Sequence, residues 1–161
     1  MKGKLIASVG VIVLVFGIVL NAWSGTRDDC ITKCKEAATF IRSNGIKAAV
    51  AEISNQKSRF VWNNGINYVF LMDMDCSMLA HPFNPELSKS DKLIESQDVN
   101  GKLFFVDFIN AAKKGRGWTK YNWEIPSKDI VRPKHTYIYR VPDTEYFVGA
   151  GFYVLSPGEF Y

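Results

Sequence analysis

The sequence predicts an α+β domain in which a five-stranded antiparallel sheet has a long N-terminal helix packed on it. Three observations predict it. Apolar residues recur at helical spacing from about Asp29 to Ser54, a pair of short apolar runs follows, and the stretch from Gly117 to Tyr153 holds three strands crowded with aromatic residues. A helix with one apolar stripe must bury it, and a sheet built from sequential strands offers the face to bury it on.

Taken in order, Thr26 or Asp28 can cap a helix from about Asp29 to Asn44, where Cys30, Ile31, Cys34, Ala37, Ala38 and Ile41 form one stripe. Gly45 ends it as a left-handed cap, and Ile46, Ala49, Val50 and Ile53 continue at helical spacing as a second helix or a kinked continuation to about Ser54. Tyr68 to Asp73 is an apolar strand, Asp73-Met74-Asp75-Cys76-Ser77 reads as a turn, and Met78 to His81 returns as its hairpin partner. The prolines of His81-Pro82-Phe83-Asn84-Pro85 forbid a central strand and open a loop that lasts to about Gln97. Asp98-Val99-Asn100-Gly101 precedes Leu103, Phe104, Val106, Phe108, Ile109, Ala111 and Ala112, a helix buried over much of its circumference and stopped by Gly115.

The three last strands are GWTKYNWEIP, KHTYIYRV and YFVGAGFYV. Alternate residues point to opposite faces, so the first sets Tyr121 with Trp123, the second sets Lys134 with Thr136 and Ile138 against His135, Tyr137 and Tyr139, and the third sets Gly149, Gly151 and Tyr153 together. Two glycines on one face admit a neighbouring ring, backbone or ligand, and their missing side chains are expected to leave a hollow. Rings with Lys120, Lys134, His135 and Arg140 set among them are the makings of a small-ligand pocket.

At 161 residues, with 47% apolar and 22% charged residues, the chain suits one globular domain. The formal charge of +4 includes Lys2 and Lys4; without them 18 basic residues face 16 acidic ones, spread along the chain, which is no nucleic-acid footprint. Leu5 to Leu20 carries no charge and follows those two lysines, so residues 1–25 read as a signal peptide or an N-terminal membrane anchor, and 26–161 as the exported domain. Its length leaves cleavage and retention both open. Cys30, Cys34 and Cys76 are an odd number for an oxidising compartment; Cys30 and Cys34 lie too far apart on a regular helix for a relaxed bridge, and small buried residues or a Cys76 bridge to one of them remain alternatives. No haem-attachment or paired zinc-ligand motif occurs, and no cofactor is expected.

The succession Tyr68-Val-Phe, Asp73, Leu79-Ala-His-Pro-x-Asn-Pro, Asp98-x-Asn-Gly, Gly117-Trp-x-x-Tyr-x-Trp, Pro126, Lys134-x-x-Tyr137 and Val148-Gly-x-Gly-x-Tyr153 resembles the single Cache domain, a PAS-like extracytoplasmic sensor module of bacterial chemoreceptors and sensor kinases. The match runs in order from about Asp29 to Tyr153. The resemblance implies a PAS-like fold that binds a small organic acid or related metabolite between the sheet and the loop after the hairpin. It also implies partnership with a sensor kinase or chemoreceptor, and attachment to a membrane if the leader is retained. Cys76 and Ser77 stand where that family's turn commonly has glycine. Such receptors continue into a second span and an output module, so a chain stopping at Tyr161 is expected to be a free-standing or singly anchored binding module without its own output domain.

Lys134 is the residue expected to take a carboxylate, because an ammonium among rings gains from an anionic partner; the alternative is a surface lysine at a strand start. His81 either donates to the ligand or fixes its own loop. Tyr121 and Tyr137 offer hydroxyls, or serve as core residues only, and Trp123, Tyr68 and Phe70 are walls. Asp73, Asp75 and Asn84 lack the spacing of a calcium loop. Cys76 with His81 has no oxyanion site or orienting acid to support an enzyme. A ligand-free interaction subunit of a membrane sensor complex is the other expectation.

Overall fold

The structure, a computed structural model, describes residues 27–154. The leader and its cleavage context lie outside the described residues, among which no helix is long and apolar enough to cross a membrane. Helix α1 (Arg27–Ser54) is bent at Gly45, whose φ of 79° and ψ of 165° interrupt two helical segments. The sequence left a second helix and a kinked continuation open, and the outcome is the latter. A Cβ at Gly45 would meet nothing within 4 Å, so backbone conformation alone demands glycine there.

Six strands follow among the described residues, one more than the sequence suggested: β1 (Val61–Trp62), β2 (Asn67–Asp73), β3 (Met78–Ala80), β4 (Arg116–Glu124), β5 (Val131–Arg140) and β6 (Tyr146–Tyr153). The addition, β1, is two residues long and too short to show a period, although Asn64-Gly65 after it is a hairpin signal. The order is β1-β2-β6-β5-β4 with every pair antiparallel, β1 and β3 sharing the far edge of β2.

Strand alternation divides the core into two layers. On one face α1 sets Cys30, Cys34, Ala37, Ala38, Ile41, Ala49 and Ile53 against Val69, Leu71, Val148 and Ala150. Those small residues let the helix lie close, and the Cys34 thiol approaches the Tyr137 carbonyl at 3.6 Å. All three cysteines are free and buried. On the opposite face helix α2 (Phe104–Lys113) lays Phe104, Phe105 and Phe108 over Tyr68, Phe70 and Tyr121. Gly115, at φ 85°, turns the chain into β4, and Gly117 lets the sheet approach Ala111.

The segment between β3 and α2 contains two short 3-10 turns, Pro85–Lys89 and Leu93–Glu95. Asp98 closes it. One carboxylate oxygen accepts from the backbone N–H groups of Asn100 (2.9 Å) and Lys102 (3.1 Å), and the other from the backbone (2.8 Å) and side chain (3.2 Å) of Asn122 on the edge strand β4. Lys102 donates to the Lys120 carbonyl at 2.6 Å. The loop thus satisfies part of an edge that would otherwise be open to another strand.

Candidate functional site

The site face of the sheet is set by register. Tyr121 pairs with Lys134 and Lys134 with Tyr153, while Tyr68 stands opposite Gly151 and Phe70 opposite Gly149. Period-two alternation therefore brings Tyr68, Phe70, Tyr121, Trp123, Lys134 and Tyr153 onto one surface, with His81 at the mouth of the loop.

The expected hollow at the glycines is filled. A Cβ on Gly149 would collide with the Phe70 ring, and one on Gly151 would lie 2.5 Å from Thr136 Oγ1 and 2.7 Å from Lys134 Cε. The absent side chains make room for a ring and an amine stem, so the bulk removed from one strand is returned by its neighbours. What remains open is a cavity of about 10 Å³ among Tyr68, Phe70, His81, Phe104, Tyr121 and Trp123. That is space for about one water molecule.

Lys134 is 1% exposed. Its Nζ lies 3.8 Å from the centroid of the Tyr68 ring and 4.8 Å from that of Tyr153, and no carboxylate of the described residues pairs with it. Burial lowers its pKa to about 7, with Cys30 working weakly against the shift. Among the described residues its ammonium faces the two tyrosine rings, which offset desolvation less well than a carboxylate would.

His81 is also buried, and its Nδ1 accepts from the backbone N–H of Phe83 (3.2 Å) and of Asn84 (2.9 Å). An accepting Nδ1 assigns the proton of the neutral ring to Nε2. Burial first, and Lys134 second, push its pKa down to about 3. Of the two roles open to it in the sequence, fixing the loop is the one these contacts describe. The Tyr121 hydroxyl shares a 3.1 Å hydrogen bond with Thr136, and its ring stacks on Phe104 at 4.5 Å. Tyr153 donates to the Glu124 carbonyl at 2.6 Å.

Tyr137 is the exception among the sequence-selected residues. It stands on the α1 face, its ring 5.2 Å from Trp118 and 6.3 Å from Tyr139, so the structure does not bring it to the other six. Tyr137 lies three positions after Lys134, and an odd separation on a regular strand reverses the face. Tyr153 and Thr136 were overlooked at the site, although the same alternation marks both. The α2 rings carried no such signal, because nothing in the sequence says which side of the sheet α2 covers.

Other chemistry finds little support here. Asp73 Oδ1 accepts from the backbone N–H groups of Asp75 and Ser77, closing its own turn, and no group of three or more potential metal ligands occurs among the described residues. Burial, then Asp73, raise the Cys76 thiol to about 11, far from a thiolate at neutral pH.

A long helix on one face of an antiparallel sheet, and a loop and short helix closing a small ring-lined site on the other, define a PAS-like sensor-type domain. The chain belongs to the single Cache domain family: the Single Cache domain 2 model matches residues 35–155. Solved structures that share the fold include the following three. One is a periplasmic sensor domain of a chemotaxis protein, 24% identical, covering 80% of this chain and 90% of that one with a TM-score of 0.62. Another is a Cache chemosensory domain solved for its carboxylic acid recognition, 20% identical over 80% of this chain and 92% of its own, TM-score 0.66. The third is a methyl-accepting chemotaxis protein from Vibrio parahaemolyticus RIMD 2210633, 18% identical over 78% and 86%, TM-score 0.65. Among curated proteins, the sensor histidine kinase MctS of Rhizobium johnstonii is 25% identical over 87 residues, which span 54% of this chain but only 19% of the kinase.

Proposed function

We propose that this domain is an extracytoplasmic sensory module that binds a short organic acid non-covalently, Lys134 taking the carboxylate. One observation carries the reading: Lys134 holds a buried ammonium over two tyrosine rings with no carboxylate partner among the described residues. A carboxylate brought there would replace π-contacts by a charge-assisted hydrogen bond in a dry setting. The Tyr121 hydroxyl, now on Thr136, is a candidate for a second contact, and the aromatic walls suit a short apolar tail. The carboxylic acid recognition named for one structural neighbour points to the same ligand class. Residues 1–25 would export or anchor the domain, and the named relatives suggest a sensor kinase or chemoreceptor as the signalling partner.

A second reading is favoured by the small size of the cavity, about 10 Å³. A site filled by its own rings also suits a ligand-free subunit that docks on a membrane sensor. The readings separate in a thermal-shift screen of two- to four-carbon acids. A ligand at a hundred times its dissociation constant adds about 2.7 kcal/mol. A shift lost in Lys134→Met supports the first reading; no shift with any acid, together with co-purification of a sensor protein, supports the second.

A further inference from the structure

Lys134 and the cavity share Tyr68 but not each other. The Tyr68 ring lines the cavity, Lys134 does not, and the ammonium sits 3.8 Å over that ring. Tyr68 is 1% exposed and is held edge-on by His81 at 4.8 Å and Phe83 at 5.3 Å, both at the start of the loop that covers the site. A ring face attracts a cation where an anion would, but less strongly. We propose that Tyr68 is a placeholder for the ligand's carboxylate: its face occupies the ammonium in the unliganded domain, and an arriving acid must move the ring aside to reach Lys134.

This rests on the carboxylate reading and adds two consequences. Tyr68 sets the affinity for every acid by the same factor, because each must displace the same cation–π contact whatever its tail. The displaced ring also bears directly on His81 and Phe83, so ligand entry is transmitted to the loop whose first turn is folded around His81 Nδ1. A domain closed to a single water thus stays consistent with binding, since the placeholder moves as the acid enters.

The test compares the parent chain with Tyr68→Phe and Tyr68→Leu by calorimetric titration with acetate, propionate and butyrate. Tyr68→Phe keeps the ring face over the ammonium and loses only the hydroxyl, so it should not show the gain expected of Tyr68→Leu. Tyr68→Leu is expected to bind each acid about tenfold more tightly, and by the same factor for all three. Unchanged or weaker binding in Tyr68→Leu would overturn the placeholder, as would a gain that grows with chain length, which reports extra room instead. Because a leucine leaves a void in the core, a second measurement uses the parent chain. The Lys134 ε-methylene resonance, which the Tyr68 and Tyr153 rings beside the ammonium are expected to shift upfield, should move downfield when acid saturates the site. If it stays while calorimetry shows binding, the proposal fails. Should neither the parent nor the variants bind any of the acids, the carboxylate reading falls and the placeholder with it; a parent that binds while Tyr68→Leu gains nothing removes the placeholder alone.

Discussion

Phe70 on β2 lies in register with Gly149 on β6, and its ring occupies the volume that any side chain at 149 would need. This pair closes the floor of the site. Gly149→Ala is therefore expected to destabilise the domain by about 1–3 kcal/mol, as overpacking of a tight core does. Urea unfolding measures it, and Phe70→Leu in the same chain should recover part of the loss. Additive losses in the double mutant would show that the two positions do not press on each other.

Gly45 makes the opposite case. With φ 79° and ψ 165° it sits in a region essentially reserved for glycine, yet a Cβ there would meet no atom within 4 Å. Gly45→Ala should cost about 1–3 kcal/mol through backbone strain alone. A melting temperature equal to that of the parent would mean that α1 straightens or re-bends without penalty.

Unliganded stability should depend on pH in two windows. His81 titrates at 6.5 in an unfolded chain and at about 3 when folded, so between those values the unfolded chain binds more protons, and stability is lost as pH falls from 6.5 towards 3. Lys134 falls from 10.5 to about 7 on folding, so over that range the unfolded chain again holds the extra proton, and the Lys134 contribution rises with pH. Denaturation midpoints across pH 7 to 10 should lose this slope in Lys134→Met. A slope that survives the substitution assigns it to another group.

Acid binding should run the other way. A carboxylate pairs with the ammonium and not the free amine, so affinity is expected to fall by up to about tenfold per pH unit above 7, with uptake of one proton on binding. Calorimetry in two buffers of different ionisation enthalpy counts that proton. Lys134→Met should abolish binding while leaving the melting temperature at neutral pH unchanged or raised, because a buried and unpaired charge is removed. Undiminished affinity in that variant would take Lys134 out of the site.

Asp98 fastens the covering loop to β4 through the two hydrogen bonds it accepts from Asn122, and closes its own turn through two more, from the backbone N–H groups of Asn100 and Lys102. Desolvation raises its pKa somewhat, but the hydrogen bonds from Asn122, Lys102 and Asn100 outweigh it and leave the carboxyl below its usual range, so this anchor weakens as pH falls through the acid range. Asp98→Ala is expected to cost about 1 kcal/mol and, more tellingly, to speed amide hydrogen exchange at Asn100, Lys102 and Asn122. Protection that stays as in the parent would mean that the loop is held elsewhere.

Much of this domain was legible in the sequence because it is written in periods. The stripe of Cys30, Cys34, Ala37, Ala38 and Ile41 specified α1, Gly45 and Gly115 marked its bend and the stop before β4, and alternation placed Lys134 with Thr136 and Gly149 with Gly151. The same alternation, applied to Tyr137, already put it on the wrong face for Lys134. Only β1 was too short for any period to register.

What the tertiary structure alone decided was occupancy. Sequence says that two glycines leave space, but which atoms fill it depends on cross-strand register, and register set Phe70 against Gly149 and the Lys134 stem against Gly151. Likewise a lysine's place in a strand does not tell whether its amine meets water, a carboxylate or a ring. That outcome follows from which side α2 covers and from where Tyr68 and Tyr153 fall beside β5, relations between residues distant in the chain that no local pattern encodes.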